Sequence, residues 1–379
     1  MRILLVSSSY SQSGEGAAAA GVFVHDFAAA LAESGVDTEV VAPALEAGME
    51  QRGKLLVRRF RVPRLPLSLL NPLRPGDWLP IVNTLAAGRR AVRESCAAAR
   101  PDHIFALWAL PCGDWARHAA RQHGIPYSTW ALGSDIWSLG KLPLVRSYLA
   151  SVLRDASHRF ADGLKLGAEV SRISGRDCRF LPSSRAFGAP APRSLAGAPP
   201  YRLAFLGRWH PNKGPDLLLE ALAQLTDADW SKIEALRFCG GGPLEAQVHQ
   251  RVEALVRGGR PVKMGGYLDH AAAYELFSWA DFVVIPSRIE SVPVVFSDAM
   301  QVGRPVIASP VGDLPEILQD YACGVLADDA SAAGLVRALQ RALTSGPGDF
   351  APGVAKAAAA FDVRRSAEAF LAGVRQAAG

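Results

Sequence analysis

The chain is short of the features that would place it in a bilayer, a disulfide scaffold or a metal centre. In its 379 residues no uncharged stretch approaches the roughly 18 residues that a spanning helix requires. The opening run, Met1-Arg2-Ile3-Leu4-Leu5-Val6, lacks the long apolar region and small-residue cleavage site of a secretory leader, and reads as the first β-strand of a cytoplasmic protein. Cys96, Cys112, Cys178, Cys239 and Cys323 are odd in number and scattered, with no CxxC pair, so neither a disulfide framework nor a zinc site is expected. The eight histidines show no pair at metal-ligand spacing. What remains, 49% hydrophobic and 20% charged residues with 35 Gly and 26 Pro, is ordinary for a folded α/β protein. At about 150 residues per domain the length suits two domains with a core each.

The net charge of +5 conceals an asymmetry. Residues 1–195 carry 24 Lys and Arg against 16 Asp and Glu, whereas residues 196–379 carry 17 against 20. In one stretch Arg52, Lys54, Arg58, Arg59, Arg61, Arg64 and Arg74 are interleaved with Leu55, Leu56, Phe60, Leu65, Leu67, Leu69 and Leu70. Such a mixture fits an anionic membrane surface, at about 1 kcal/mol per cation close to it. It fits a solvated, Arg-rich face equally well. Nucleic acid is not an expected partner, because no nucleic-acid motif accompanies the basic residues.

Short apolar, β-branched runs alternate with helical periodicity, the pattern of parallel βαβ layers. Strands are expected at 2–9, 38–43, 55–62, 103–110, 127–132 and 163–167, with helices at 22–34, 84–100, 114–123 and 144–160. Gly35 stops the first helix. From Phe187 to Pro200 the composition is that of a linker, too rich in Pro for a helix or a central strand. The alternation then restarts, with strands at 202–206, 236–239, 262–264, 282–286, 305–309 and 324–326 and a last helix at 364–378. The expected organisation is an N-terminal domain at 1–188, a linker at 189–200, a second doubly wound domain at 201–361 and a closing helix within 362–379. A ligand would bind in the cleft between the domains.

Three loops in the second half carry the chemistry. The first is Gly207-Arg208-Trp209-His210-Pro211-Asn212-Lys213-Gly214, with Pro215 opening a helix. The N–H groups and positive dipole end of that helix, joined by Arg208 and Lys213, form a site for a diphosphate. The second is Gly240-Gly241-Gly242-Pro243, where glycines let a ligand approach the backbone or simply make a tight turn. The third is Glu290-Ser291-Val292-Pro293-Val294-Val295-Phe296-Ser297-Asp298. A helix beginning near Val294 aims its N–H groups at an anion, while Glu290 and Asp298 flank the site. Carboxylates only accept hydrogen bonds, so two of them beside an anion site suit hydroxyls. A nucleotide sugar offers both diphosphate and hydroxyls. Asp227-Ala228-Asp229 spells a metal-binding DxD but follows a helix and precedes Trp230, so a solvated turn is expected there.

These stretches, with Gly303-Arg304-Pro305 through Gly312 and, in the first half, Ser13-Gly14-Glu15-Gly16, Trp108-Ala109-Leu110-Pro111 and Gly133-Ser134-Asp135, resemble the retaining, metal-independent glycosyltransferases of family 4. The resemblance implies a GT-B fold, α/β, with two Rossmann-like doubly wound domains facing a cleft and the last helix crossing back onto the first domain. It implies that Arg208 and Lys213 hold the diphosphate, Glu290 the donor sugar and Asp298 the ribose. The backbone of Ser291, Val292, Pro293, Val294 and Val295 would contact phosphate and sugar, Gly240 and Gly241 would line the donor, Gly266 and Tyr267 would meet the base, and Gly16 would approach the diphosphate. It implies a nucleotide-sugar donor, a UDP-sugar favoured, a glycan or lipid-linked acceptor, a role in cell-surface polysaccharide synthesis, and neither cofactor, metal nor protein nucleophile. The chain departs from the family pattern at Asp298, one methylene short, and at Phe105, Leu107 and Leu132, where the family commonly has histidines. Asp135 is the polar candidate for acceptor-side catalysis, with capping of the next turn as its other reading. The apolar replacements leave open a non-catalytic protein that binds a nucleotide sugar or a partner.

Overall fold

The computed structural model describes residues 1–10, 21–67, 70–138, 140, 143–187 and 193–376. They form two units, one of Met1 to Ser183 with the segment from Val363 onward, the other of Ser184 to Asp362. Chain order in the first unit is β1 (Arg2–Ser7), α1 (Val22–Glu33), β2 (Asp37–Ala44), β3 (Gly48–Arg52), β4 (Leu55–Arg61), α2 (Trp78–Ala98), β5 (His103–Leu107), α3 (Cys112–His123), β6 (Tyr127–Ala131), α4 (Ser134–Trp137), α5 (Pro143–Asp155), β7 (His158–Ala161), α6 (Leu164–Ser174) and β8 (Arg179–Phe180). In the second it is β9 (Tyr201–Arg208), α7 (Pro215–Gln224), α8 (Asp227–Trp230), β10 (Ile233–Gly241), α9 (Glu245–Arg257), β11 (Val262–Gly265), α10 (His270–Trp279), β12 (Phe282–Ile285), α11 (Val294–Gln301), β13 (Val306–Ala308), α12 (Leu314–Tyr321), β14 (Gly324–Leu326), α13 (Ala332–Ser345) and α14 (Ala351–Ala360). The last helix, α15 (Val363–Gln376), returns to the first unit and packs on α1.

The first sheet has the order β3-β4-β2-β1-β5-β6-β7-β8, parallel except for the antiparallel β3–β4 hairpin at its edge. The second has the order β11-β10-β9-β12-β13-β14 and is parallel throughout. Central strands are apolar on both faces because helices cover both, as in the run Phe282-Val283-Val284-Ile285, buried along its length. Leu5, Phe27, Phe105, Trp130 and Phe370 meet in the layer under α1 and α15, while Val6, Phe60, Val92, Trp115 and Tyr127 form the layer under α2 and α3.

The structure adds β3, α4 and β8 to the expected elements, starts α2 six residues earlier, and changes two further readings. Residues 163–167 are not a strand but the start of α6, and the strand lies just before them, at His158–Ala161, where helix was expected to continue. Asp227–Trp230 is a one-turn helix closed by a capping box, in which the Thr226 hydroxyl accepts from the Asp229 N–H and the Asp229 carboxylate accepts from the Thr226 N–H. Asp227 pairs with Arg260 and Asp229 accepts from Gln340, so the DxD is a helix start.

The linker is fastened to the second unit through Asp281, fully buried before β12. It takes hydrogen bonds from Arg193 Nη2 (2.6 Å), Ala196 N (3.0 Å) and Arg202 N (2.9 Å). Arg304, also buried, donates to the carbonyls of Phe277, Ser278 and Arg193, which closes the C-terminal end of α10 against the same segment. Burial of that guanidinium lowers its pKa to about 10.

Candidate active site

In the second sheet the chain runs from β9 outward through β10 to β11, then returns to the other side of β9 to build β12, β13 and β14. The strand order therefore reverses between β9 and β12. Loops leaving the carboxyl ends of strands at such a point diverge and leave a crevice that a ligand can enter. The sequence-predicted donor residues fall in a row along this edge. Gly266 and Tyr267 follow β11, Gly240 and Gly241 end β10, Arg208 ends β9 and Lys213 follows it, and Glu290 to Val295 follow β12. At about 4.8 Å per strand the row spans about 14 Å from β11 to β12.

The centre of the row is an ion pair. Lys213 Nζ donates to Glu290 Oε1, and the same carboxylate oxygen accepts from Ser287 Oγ at 3.3 Å. The ammonium is partly solvent-exposed and the carboxylate mostly buried. A recess beside them is lined by Gly207, Lys213, Ser287, Glu290, Pro293 and Val295. The loops carrying the pair are locked together. Gly214 has φ of 64°, and a Cβ on it would come within 1.9 Å of the Pro286 carbonyl oxygen, so only glycine permits this approach. Arg288 N donates to Asn212 O at 2.8 Å, and the Arg288 guanidinium forms two 2.8 Å bonds to Asp216. No local sequence signal marks Arg288, because its partner lies 72 residues earlier.

Around this centre, Arg208 reaches solvent at the end of β9. Tyr267 lies over Gly241, where an added Cβ would stand 2.5 Å from its ring, and Gly240 N donates to Gly266 O at 3.0 Å. Pro293 caps α11, whose first residues, Val294 and Val295, are half-buried at the crevice. The first N–H groups of a helix have no partner within it, so this end is open to an anion. Gly16 lies outside the described residues.

Asp298 lies further along the same helix. It sits one turn inside α11 with no exposed surface, and its two carboxylate oxygens accept from Nε (2.9 Å) and Nη2 of Arg185. The expected ribose contact would have to compete with Arg185, which holds both oxygens. Sequence reasoning missed Arg185, which stands 113 residues away in the chain.

On the first unit, Asp135 is also buried. Its carboxylate accepts from Ala109 N (2.5 Å), Leu132 N (3.3 Å) and Ile136 N (3.1 Å). It ties the loop after β5 to the loop after β6, where Trp108 adopts a φ of 72°. Of its two sequence readings, catalysis and local capping, these bonds correspond to the second. Burial raises its pKa to about 6 against the lowering effect of those N–H groups. Phe105 and Leu107 are core side chains, Phe105 stacking on Phe370 at 4.1 Å between ring centroids, and Leu132 is half-buried at the end of β6. Among the described residues no three His, Cys, Asp or Glu side chains gather in a way that could hold a metal ion. No described helix is long and apolar enough to cross a membrane.

Both halves of the chain resemble known proteins. The model of the glycosyl transferases group 1 family matches residues 200–345, which contain the crevice, and the glycosyl transferase 4-like domain model matches residues 18–177. Among curated relatives, the D-inositol 3-phosphate glycosyltransferase of Corynebacterium diphtheriae is 33% identical over 148 residues, 38% of this chain and 35% of that protein. The matches to the first curated relatives span 35–41% of those proteins' own length. Among solved structures, sucrose-phosphate synthase from Thermosynechococcus elongatus superposes with a TM-score of 0.70 at 20% identity, covering 100% of this chain and 97% of that one. Anabaena HepE in complex with UDP-glucose does so with a TM-score of 0.69 at 19% identity, covering 99% and 100%. With a group 1 domain, a 4-like domain and the two parallel sheets of the GT-B fold, the chain belongs to the family 4 glycosyltransferases.

Proposed function

We propose that this protein is a retaining glycosyltransferase that takes a sugar from a nucleotide-sugar donor, a UDP-sugar in preference, and passes it to a glycan or lipid-linked acceptor in the synthesis of cell-surface polysaccharide. The observation that carries the proposal is the Lys213–Glu290 pair at the switch point of the second sheet, between two helix N-termini. A cation and two helix dipoles favour a diphosphate, and a carboxylate beside them accepts from sugar hydroxyls. Anabaena HepE, similar in fold, has been solved with UDP-glucose.

In this reading Lys213 turns from Glu290 to the diphosphate as the donor enters, and Arg208 closes on the same group from the solvent side. Both stabilise the charge that develops on the leaving phosphate. Glu290, freed of its ammonium, holds the donor sugar. Tyr267 gives the base an aromatic face, and the start of α11 contacts phosphate and sugar. The leaving phosphate takes the acceptor proton on the face where the new bond forms, so the anomeric configuration is kept without a protein nucleophile. A peripheral position at the inner face of a membrane would bring such an enzyme to a lipid-linked acceptor.

Calorimetry with UDP, UDP-glucose and GDP-mannose, without added metal, tests the donor assignment. Sugar transfer with a membrane extract as acceptor source tests the reaction. Binding of UDP and its sugar, with transfer that persists in excess EDTA, is the expected result. Absence of binding to every nucleotide would remove the donor site. Binding without transfer or donor hydrolysis would favour the non-catalytic reading.

A further inference from the structure

The first unit holds an apolar apex that its own core does not use. Leu73 is 72% exposed, Trp78 58%, Leu79 69% and Val82 59%, all within the approach to α2 and its first two turns. Scattered surface leucines need no explanation, but four large apolar side chains within ten residues do. The approach to α2 is a built structure. Asp77, itself buried, accepts from Asn71 N at 3.0 Å and from Arg64 Nη1 at 3.3 Å. Asn71 Oδ1 accepts from Leu73 N at 2.9 Å, and Trp78 Nε1 donates to Pro72 O at 2.8 Å. The indole N–H is thus satisfied internally, and what Trp78 turns to solvent is hydrocarbon. A buried aspartate and a set of bonds hold the loop so that these side chains face outward.

The charge around the apex has one sign. Asp77 is the only acid between residues 71 and 90, and it is buried. Arg74 stands exposed between Leu73 and Trp78. Leu79, Val82, Ala86 and Arg90 follow one another at helical spacing on the exposed side of α2, so the stripe is apolar at its start and cationic about 16 Å further along. Glu94 is the first exposed acid, four residues beyond Arg90. On α5 the second residue, Leu144, is exposed as well, and Tyr148, one turn later, is tied through Asp114 to Arg89 of α2. In the chain α2 comes after β4 and α5 after β6, two strands of the same sheet.

We infer that the apex of Leu73, Trp78, Leu79 and Val82, edged by Arg74 and Arg90, is the surface by which this protein inserts into an anionic lipid bilayer. An apolar tip sinks about 5–10 Å into the boundary between headgroups and acyl chains, and cations along the helix then face anionic headgroups. Rigid presentation matters because the tip pays no ordering cost on insertion. The basic stretch of β4 is less available. Arg58 is engaged by the buried Glu39, Arg52 by Glu50, and Lys54 Nζ by the Gly35 carbonyl. The inference rests on the proposal of a membrane-borne acceptor and names the surface that meets the membrane.

The test is co-sedimentation of the full chain with vesicles of phosphatidylglycerol and phosphatidylcholine in equal parts, at about 0.15 M salt, without donor. Wild type should pellet with excess lipid. L79S/V82S should need about tenfold more lipid or beyond, with an unchanged melting temperature. L73S should weaken binding to a smaller degree and so guards against a folding defect in the double variant. R74S should weaken binding to the mixed vesicles and not to phosphatidylcholine alone, whereas R61S should change neither. Wild type that stays in the supernatant overturns the inference, as does L79S/V82S that binds like wild type. A dimer in sedimentation velocity that L79S/V82S abolishes, with no vesicle binding, assigns the apex to a second copy of the chain and overturns it too. Since no donor enters these assays, failure to bind UDP would count against the proposed function and leave this surface standing.

Discussion

Lys213 and Glu290 each have a partner at rest, and the two should fail in different ways. Lys213→Ala removes a cation from the diphosphate and leaves the mostly buried Glu290 with the Ser287 hydroxyl. Turnover should fall about tenfold or more, corresponding to about 1.4 kcal/mol or more of lost stabilisation. Steady-state kinetics on the purified, folded variant checks this, and undiminished kcat would take Lys213 out of the mechanism. Glu290→Gln should spare UDP affinity and lower turnover of the UDP-sugar, because the carboxylate is assigned to the sugar ring. The eight-residue spacing from Glu290 makes Asp298 look like a second ligand-facing acid, yet its environment depends on Arg185, which no local pattern reveals. Removing one partner of a buried pair costs about 3–5 kcal/mol. Asp298→Asn should therefore lower the melting temperature by several degrees and leave UDP affinity within a factor of about two. A tenfold loss of UDP affinity at an unchanged melting temperature would return Asp298 to the ribose.

At the level of elements, the strands that carry the crevice were readable because a strand buried on both faces is a near-continuous apolar run, as in Phe282–Ile285 and, after Arg202, in Leu203-Ala204-Phe205-Leu206. The errors fall where two patterns compete. Gly163-Leu164-Lys165-Leu166-Gly167 alternates like a strand but opens α6, and His158-Arg159-Phe160 continues the helical spacing of α5 although the chain has already turned into β7. The edge strand β3 has Met49 as its one large apolar residue, and a strand paired on one side needs little more. The loops that close these elements have their own energetics, with Asp135 as the clearest case. Its folded pKa of about 6 lies above the roughly 3.9 of an unfolded aspartate, so the group favours the fold most below about pH 4 and loses that contribution as pH rises through 6. The full change is about 3 kcal/mol. Compared with Asp135→Asn, which does not titrate, wild type should lose relative stability between pH 4 and 6 in thermal melts. A relative gain over that range would show that the three backbone N–H groups hold the carboxylate more strongly than burial opposes it.

Across the whole molecule, the division into two halves was written in the linker composition and in the restart of the strand–helix alternation, whereas the membership of the last helix came from the family resemblance alone. An amphipathic helix shows which of its faces is buried and not against what. In the structure Val363, Ala367, Phe370, Leu371 and Val374 of α15 enter the core of the first unit, where Phe370 packs against Phe27, Phe105 and Phe160. The second unit closes its own core with Phe361, the last large residue before the crossing, against Phe296 and Tyr321. Each unit thus has a separate apolar core, and the candidate donor residues that the structure describes all lie in the second. A chain stopped after Asp362 should expose the first core selectively, because deleting even one such buried Phe side chain costs about 3–5 kcal/mol. Calorimetric scans of wild type should resolve two transitions, of which UDP raises one by mass action. In the shortened chain the UDP-sensitive transition should persist near its wild-type temperature, while the other drops by well over about 5 °C or disappears. Loss of both transitions together would mean that the halves fold as one cooperative body, and a UDP effect on the first unit's transition would move part of the nucleotide site there.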